Sequence, residues 1–404
     1  MAQTTGQPAG RVVLGAAYWR VWWANTVSSV GDGALVTALP LLAVTVTRDP
    51  RLVGLVSASI FVPWLLLSLP AGALADRRDR VTLMWRAQAL QGVIVALIAV
   101  LAATGAASIG ILIAAGFCLG AAEVVFSNAA QAVLPQLVPA ELLPRANGNL
   151  QASLTTGETF LGPPVGSLLF AAWRALPFGL DAGSFAASAL LLSGLPRHSP
   201  AGSTTGLGGQ IAEGLRWLLR HRLLRVVAVL LGVMGFCSQM GQSVLVLLAT
   251  QTLHTGTRGY GLLWTAAAVG SILGGLANPV LIRRLGQLPS LITAMAAEAA
   301  AFTGIGLAPN AYLAGLIMAC DGFFVAMWNV VTISLRQRIV PASLLGRVNS
   351  VYRMLGWGLM PLGALAGGFV AHAGGLRAPY TIAGIICALA LAAALPVLLK
   401  TGRS

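Results

Sequence analysis

Of the 11 acidic residues in this chain, Asp32, Glu123, Glu158 and Asp321 lie deep inside apolar stretches. Each sits roughly 10 to 13 residues into its stretch, which is about 15 to 20 Å along a helix axis. A charged group at membrane depth is costly and tends to face a water-filled cavity or a partner. No Arg or Lys falls at comparable depth, the nearest being Arg86 and Arg353 towards the ends of their stretches. A carboxyl without a cation beside it can take up and release a proton, so these four are candidates for proton coupling. The same lack of cations favours a neutral or cationic substrate over an anion.

Neutral polar side chains occupy similar depths. Asn25, Asn128, Gln239, Gln242, Trp328 and Asn329 are candidates for the wall of a substrate cavity, because ligand sites combine mostly apolar walls with a few polar groups. Trp19, Trp22 and Trp173 read instead as anchors at the membrane interface. The four cysteines, Cys118, Cys237, Cys320 and Cys387, have neither zinc nor disulfide spacing and read as packing residues, so no metal site is expected. No H-E-x-x-H, G-x-S-x-G or phosphate-binding loop is present, which argues against an enzyme and against a bound cofactor.

The elements that must position these groups are membrane helices. Hydrophobic residues make up 57% of the chain, charged residues 9%, and the mean hydropathy is +0.83. Soluble domains carry about a quarter charged residues, so this is not one. Apolar stretches of about 20 residues, each long enough to cross about 30 Å of hydrocarbon, follow one another from Trp19 to Leu399. They read as about twelve spans. The net charge of +14 and a pI near 11.2 would suit a nucleic-acid binder, but the basic residues are distributed asymmetrically. All but five of the 25 (Arg48, Arg51, Arg174, Arg258 and Arg377) fall on one set of loops. That is the positive-inside pattern, and it puts both termini in the cytoplasm with no nucleic-acid partner.

The chain is also duplicated. Gln136 to Asn147 (QLVPAELLPRAN) recurs as Arg338 to Asn349 (RIVPASLLGRVN), identical at seven of twelve positions and displaced by 202, half of 404. The expected organisation is an N-terminal tail over 1–18, a six-helix bundle over 19–196, a linker over 197–225, a second six-helix bundle over 226–399 and a tail over 400–404. The linker contains IAEGLRWLLRHRLLR, Ile211 to Arg225, which reads as an amphipathic helix on the inner leaflet. Gly116 and Gly120 have the spacing of a close helix contact.

At the end of the second span, Gly72, Asp76, Arg77 and Arg80 match the signature loop of the major facilitator superfamily, and the chain resembles that family over nearly its whole length. Asp79 departs from the pattern, where the family usually has Gly. GPPVG, Gly162 to Gly166, resembles the Gly-Pro motif of the superfamily's antiporting exporters, with Ser167 in place of the final Gly. The repeated bridge is most similar to the macrolide-efflux and enterobactin-exporter branch. The resemblance implies an all-α integral membrane fold of two pseudo-symmetric bundles. It carries the role of conformational latch onto Gly72, Asp76, Arg77 and Arg80. Gly162, Pro163, Pro164 and Gly166 become a hinge, since paired prolines bend a helix. It also implies that spans one, four, seven and ten line the cavity, so Glu298 in span nine ranks lower, as does Asp181 near the outer surface. Span four lacks the Arg of many proton-driven relatives.

The expected function is therefore a secondary transporter in the cell membrane. It would export a lipophilic small molecule by alternating access, as a monomer, drawing on the proton gradient and needing only protons, substrate and the lipid bilayer as partners. A proton-coupled importer of a nutrient and a non-transporting receptor or scaffold are the alternatives.

Overall fold

In hydrocarbon no water satisfies backbone N–H and C=O groups, so a spanning segment must bond within itself. The computed structural model describes residues 14–196 and 207–401, and among them every regular element is helical. The first half comprises α1 (Ala16–Val46), α2 (Pro50–Arg77), α3 (Arg80–Thr104), α4 (Ile109–Leu137), α5 (Leu143–Leu154), α6 (Gly162–Ala172) and α7 (Leu176–Ser193). After α8 (Leu207–Arg220) the second half comprises α9 (Arg222–Leu247), α10 (Gly256–Leu285), α11 (Gln287–Leu307), α12 (Ala311–Ile339), α13 (Ala342–Gly358), α14 (Met360–Gly374) and α15 (Ala378–Thr401). Among the described residues, eleven stretches are long and apolar enough to cross a membrane. The twelfth crossing is composite: α5, a π-helical turn at Thr155–Leu161, then α6.

The helix ends follow local chemistry. Asp49, Asp79, Ser108 and Asn310 each place a side-chain oxygen on a free N–H of the helix that follows. Asp79 thereby has its own explanation: it caps α3 through the Thr82 amide at 2.8 Å, starting the helix where a glycine would leave that amide bare. Gly105 ends α3 at φ 71°, a conformation costly for other residues.

The duplication is visible in the packing. α2 lies on α4 as α10 lies on α12, and α3 on α7 as α11 on α15. Tyr18 donates its hydroxyl to the Ala146 carbonyl, joining α1 to α5, and Tyr352 donates to the Leu224 carbonyl, joining α13 to α9. The same helix pair is thus tied in both halves, from opposite partners. Without a hydrophobic force between helices in lipid, association rests on close backbone approach at small residues. Gly116 and Gly120 face α2, where a Cβ at 120 would overlap the Ile60 carbonyl, while Gly270 and Gly322 seat α10 against α12 at the carbonyls of Ala319 and Ala267.

Two features differ from the sequence reading. The linker helix ends at Arg220, and His221 caps α9, so Arg222 and Arg225 belong to the seventh span. Nor does α8 present its whole apolar face outward. Leu218 is buried in the second bundle's core, Gly214 abuts the Arg347 backbone, and Glu213 pairs with Arg347 at 2.5 Å.

Gly120→Ala should cost about 1–3 kcal/mol through overpacking, read as a fall of several degrees in thermal unfolding. Gly148→Ala, where a Cβ meets nothing within 4 Å, should leave the transition unchanged or slightly raised.

Candidate functional site

Asp32 sits between two glycines on α1, and each draws a neighbour in. At Gly31 a Cβ would strike Asp181 and Ser184 of α7, and at Gly33 it would lie 2.8 Å from the Glu158 Cα in the π-helical turn. α4 supplies Glu123, whose Oε2 accepts from Gln91 Nε2 of α3 at 3.2 Å. Asp181, Glu123 and Glu158, all carboxyls, are thus gathered around Asp32. The structure therefore brings three of the four predicted acids together and adds a fourth.

That fourth corrects the expectation for Asp181. Counted from the start of its span it lies shallow, yet α7 packs on α1 so that Asp181 is fully buried at the level of Asp32. Its Oδ1 accepts from Ser184, and its Oδ2 has no partner among the described residues. The signal in the sequence was the Gly-Asp-Gly triplet, which marks backbone approach on both sides of one acid.

Asp321 is apart from this group, in the second bundle. Its neighbour is Glu298, set aside in the sequence as peripheral but only 4% exposed here. Helix α11 is covered by both α12 and α15, which turns this face of the ninth span inward.

The neutral candidates divide. Asn25 and Asn128 donate to carbonyls of their own helices, Val21 and Val124. Gln239 is buried, Gln242 is exposed and donates to Ser238 Oγ at 2.8 Å, and Asn329 is exposed. Trp328 does not line a cavity: it is 2% exposed within the core formed with Met327, Val331 and Leu218. Its large ring follows the buried stripe of α12, which spacing alone did not distinguish from the open side.

The helix runs on through most of the signature segment: Gly72 is buried and Arg77 exposed within α2, and the Asp76 side chain lies outside the described residues. Arg80 donates to the Ala132 carbonyl of α4 at 3.0 Å, tying the loop to its own bundle. Pro163 and Pro164 follow directly on the π-helical turn at Thr155–Leu161, in backbone that stays helical through Leu161 and Gly162. Gly162 and Gly166 lie against Gly33 and Ala34, and Thr37 donates to the Pro163 carbonyl at 3.1 Å.

The bundles meet along two seams. α2 runs against α14 where Gly54 meets Ala364 and Gly368 meets Pro50, and farther along Trp64 meets Trp357 of α13, the tilted rings 4.8 Å apart between centroids. On the other side α10 packs on α6 rather than α5. Both seams thus close the end opposite the α2–α3 loop. Asp49, at the start of α2, pairs with Arg51 at 2.8 Å and approaches His372 of α14 at 3.7 Å. The Arg51 hydrogen bonds hold the Asp49 carboxyl below the usual carboxylate range. This contribution is present above about pH 4 and lost as pH falls through the lowered value, so it is intact at neutral pH.

Twelve crossings in two repeated bundles, with carboxyls in the interior and close seams between the bundles, fit a multi-pass membrane transporter. The chain belongs to the transmembrane secretion effector family of the major facilitator superfamily, whose profile matches residues 14–404. It is 27% identical over 398 residues to a multidrug efflux pump, Tap, of Mycobacterium tuberculosis, covering 94% of this chain and 93% of that one. An uncharacterised transporter of the superfamily from Bacillus subtilis, YfiS, is 26% identical over 386 residues, with 90% and 88% covered. Among solved structures, the nucleoside transporter NupG superposes with a TM-score of 0.73 at 14% identity, covering 96% of this chain and 100% of that one. A bacterial homologue of the iron transporter ferroportin in an inward-facing state gives 0.73 at 15%, with 98% and 99% covered. Neither the family nor these relatives are enzymes.

Replacing Gly368 with Leu should part the α2–α14 seam. Spin labels at Arg48→Cys and Ala373→Cys in a cysteine-free background should then report a longer distance than without the substitution. An unchanged distance would show that this crossing does not hold the bundles together.

Proposed function

We propose that this transporter exports a lipophilic neutral or cationic small molecule by alternating access, driven by protons entering in exchange. The observation that carries the reading is the packing of α7 and the π-helical turn on Gly31 and Gly33, which sets Asp181 and Glu158 on either side of Asp32. A cluster of acids with no cation is held together by protons or by a cationic ligand. Binding one at the expense of the other is what antiport requires. Of the named relatives, Tap supports the outward direction, being a multidrug efflux pump.

In this reading Asp32 and Glu123 carry protons, with Glu158 and Asp181 beside them, and Gln91 orients Glu123. The basic loops face the cytoplasm, as the positive-inside rule directs, so the closed seams lie outside and the structure is the inward-open member of the cycle. The π-helical turn serves as the flexible point of the fifth crossing, with α6 moving together with α1. The protein works as a monomer in the cell membrane, and its energy comes from the proton gradient.

Asp32→Asn and Glu123→Gln should each lower pH-gradient-driven efflux of ethidium from proteoliposomes at least about tenfold, the factor that 1.4 kcal/mol represents. Ethidium binding should persist in one of them. Wild-type rates in both variants would sink the proposal. Loss of the protein from cells should sensitise them to toxic amphiphiles, whereas loss of an importer would not.

A further inference from the structure

The second bundle contains a polar site that the Asp32 group does not use. Buried positions on α11 include Leu291, Met295, Glu298, Phe302 and Ile305, a stripe at helical spacing, so Glu298 points into the bundle with the core residues. α11 and α12 run antiparallel about the turn at 308–310. Glu298 lies nine residues before the end of α11, and Asp321 ten after the start of α12. Both therefore sit about 15 Å from that turn, at one level. α15 joins them there, since Gly384 lets its backbone settle against Ala299 and Thr303 of α11.

Neither acid is satisfied. Glu298 Oε2 and Asp321 Oδ1 are inaccessible and have no hydrogen-bond partner among the described residues. The groups facing them carry no positive charge. They are the Cys387 thiol of α15, beside Glu298 and Asp321, and the Tyr380 phenol beside Asp321. Two ionised carboxylates in such a place would repel each other with nothing to offset the loss of water. A proton on one turns an acceptor into a donor, so the two unpartnered oxygens can satisfy one another.

We propose that Glu298 and Asp321 bind one proton between them, forming a second proton site separate from the Asp32 group. Glu298 is its closed side at 4% exposed, and half-buried Asp321 is the side through which the proton enters. The site deepens the proton-coupled reading and rests on it for a part in transport, but its occupancy can be tested without transport.

The test uses the full chain in lipid nanodiscs, following the infrared C=O band of protonated carboxyls as pH is raised. Subtracting the double variant, Glu298→Gln with Asp321→Asn, should isolate a component that titrates in two steps in the wild type. Glu298→Gln and Asp321→Asn should each leave a single step whose midpoint differs by about one pH unit or more from both wild-type steps. If each variant removes one step and leaves the other in place, the acids are independent and the proposal fails. Should Glu298→Gln not fold, Glu298→Asp should keep two steps with altered spacing, and unaltered spacing would overturn the proposal. Asp32→Asn and Glu123→Gln should leave both steps unmoved, so failure of the transport reading and failure of the shared proton are distinguishable.

Discussion

A carboxyl group in a water-poor interior must find a cation, a donor or a proton, and the architecture of this transporter is arranged around that requirement. In the first bundle Asp32 finds other carboxyls, and in the second Glu298 and Asp321 find chiefly each other. Replacing these groups with leucines of similar volume would be the stable solution for a purely structural bundle. The cost of retaining them is borne by a packing system that leaves little room for change elsewhere.

Glycine does much of that work, because close backbone approach is the main source of helix association in lipid. The same residue type positions the acids. Gly31 and Gly33 bring α7 and the π-helical turn onto α1, so that Asp32, Asp181 and Glu158 gather from three separate crossings. Gly162 and Gly166 continue this contact and bind α6 to α1. All three parts of the fifth crossing rest on α1: α5 through Tyr18, the π-helical turn and α6 through Gly33. Of these, α6 also carries the seam to α10 of the other half. A rearrangement at the seam therefore reaches the carboxyl group through a single short element.

Much of this was legible in the residues. Hydropathy identified the crossings, the duplicated bridge identified two related halves, and the loop containing Gly72, Arg77 and Arg80 pointed to the superfamily to which the chain belongs. Depth along each span picked out Asp32, Glu123 and Glu158, which do come together. Depth misjudged Asp181, because counting residues from a span's end assumes upright helices starting at one level. Glu298 was set aside because a ninth span was taken as peripheral, though its periodicity already placed it with Leu291, Met295 and Phe302.

What the chain determined by itself was the one-dimensional content: where helices cross, which loops are basic, and how many acids enter the membrane. These follow from transfer energies that each residue carries wherever it is placed. What only the tertiary structure decided was which acids meet and that Trp328 belongs to the core. Those outcomes depend on how closely two backbones approach and on how they tilt, and contacts between residues more than a hundred positions apart set both.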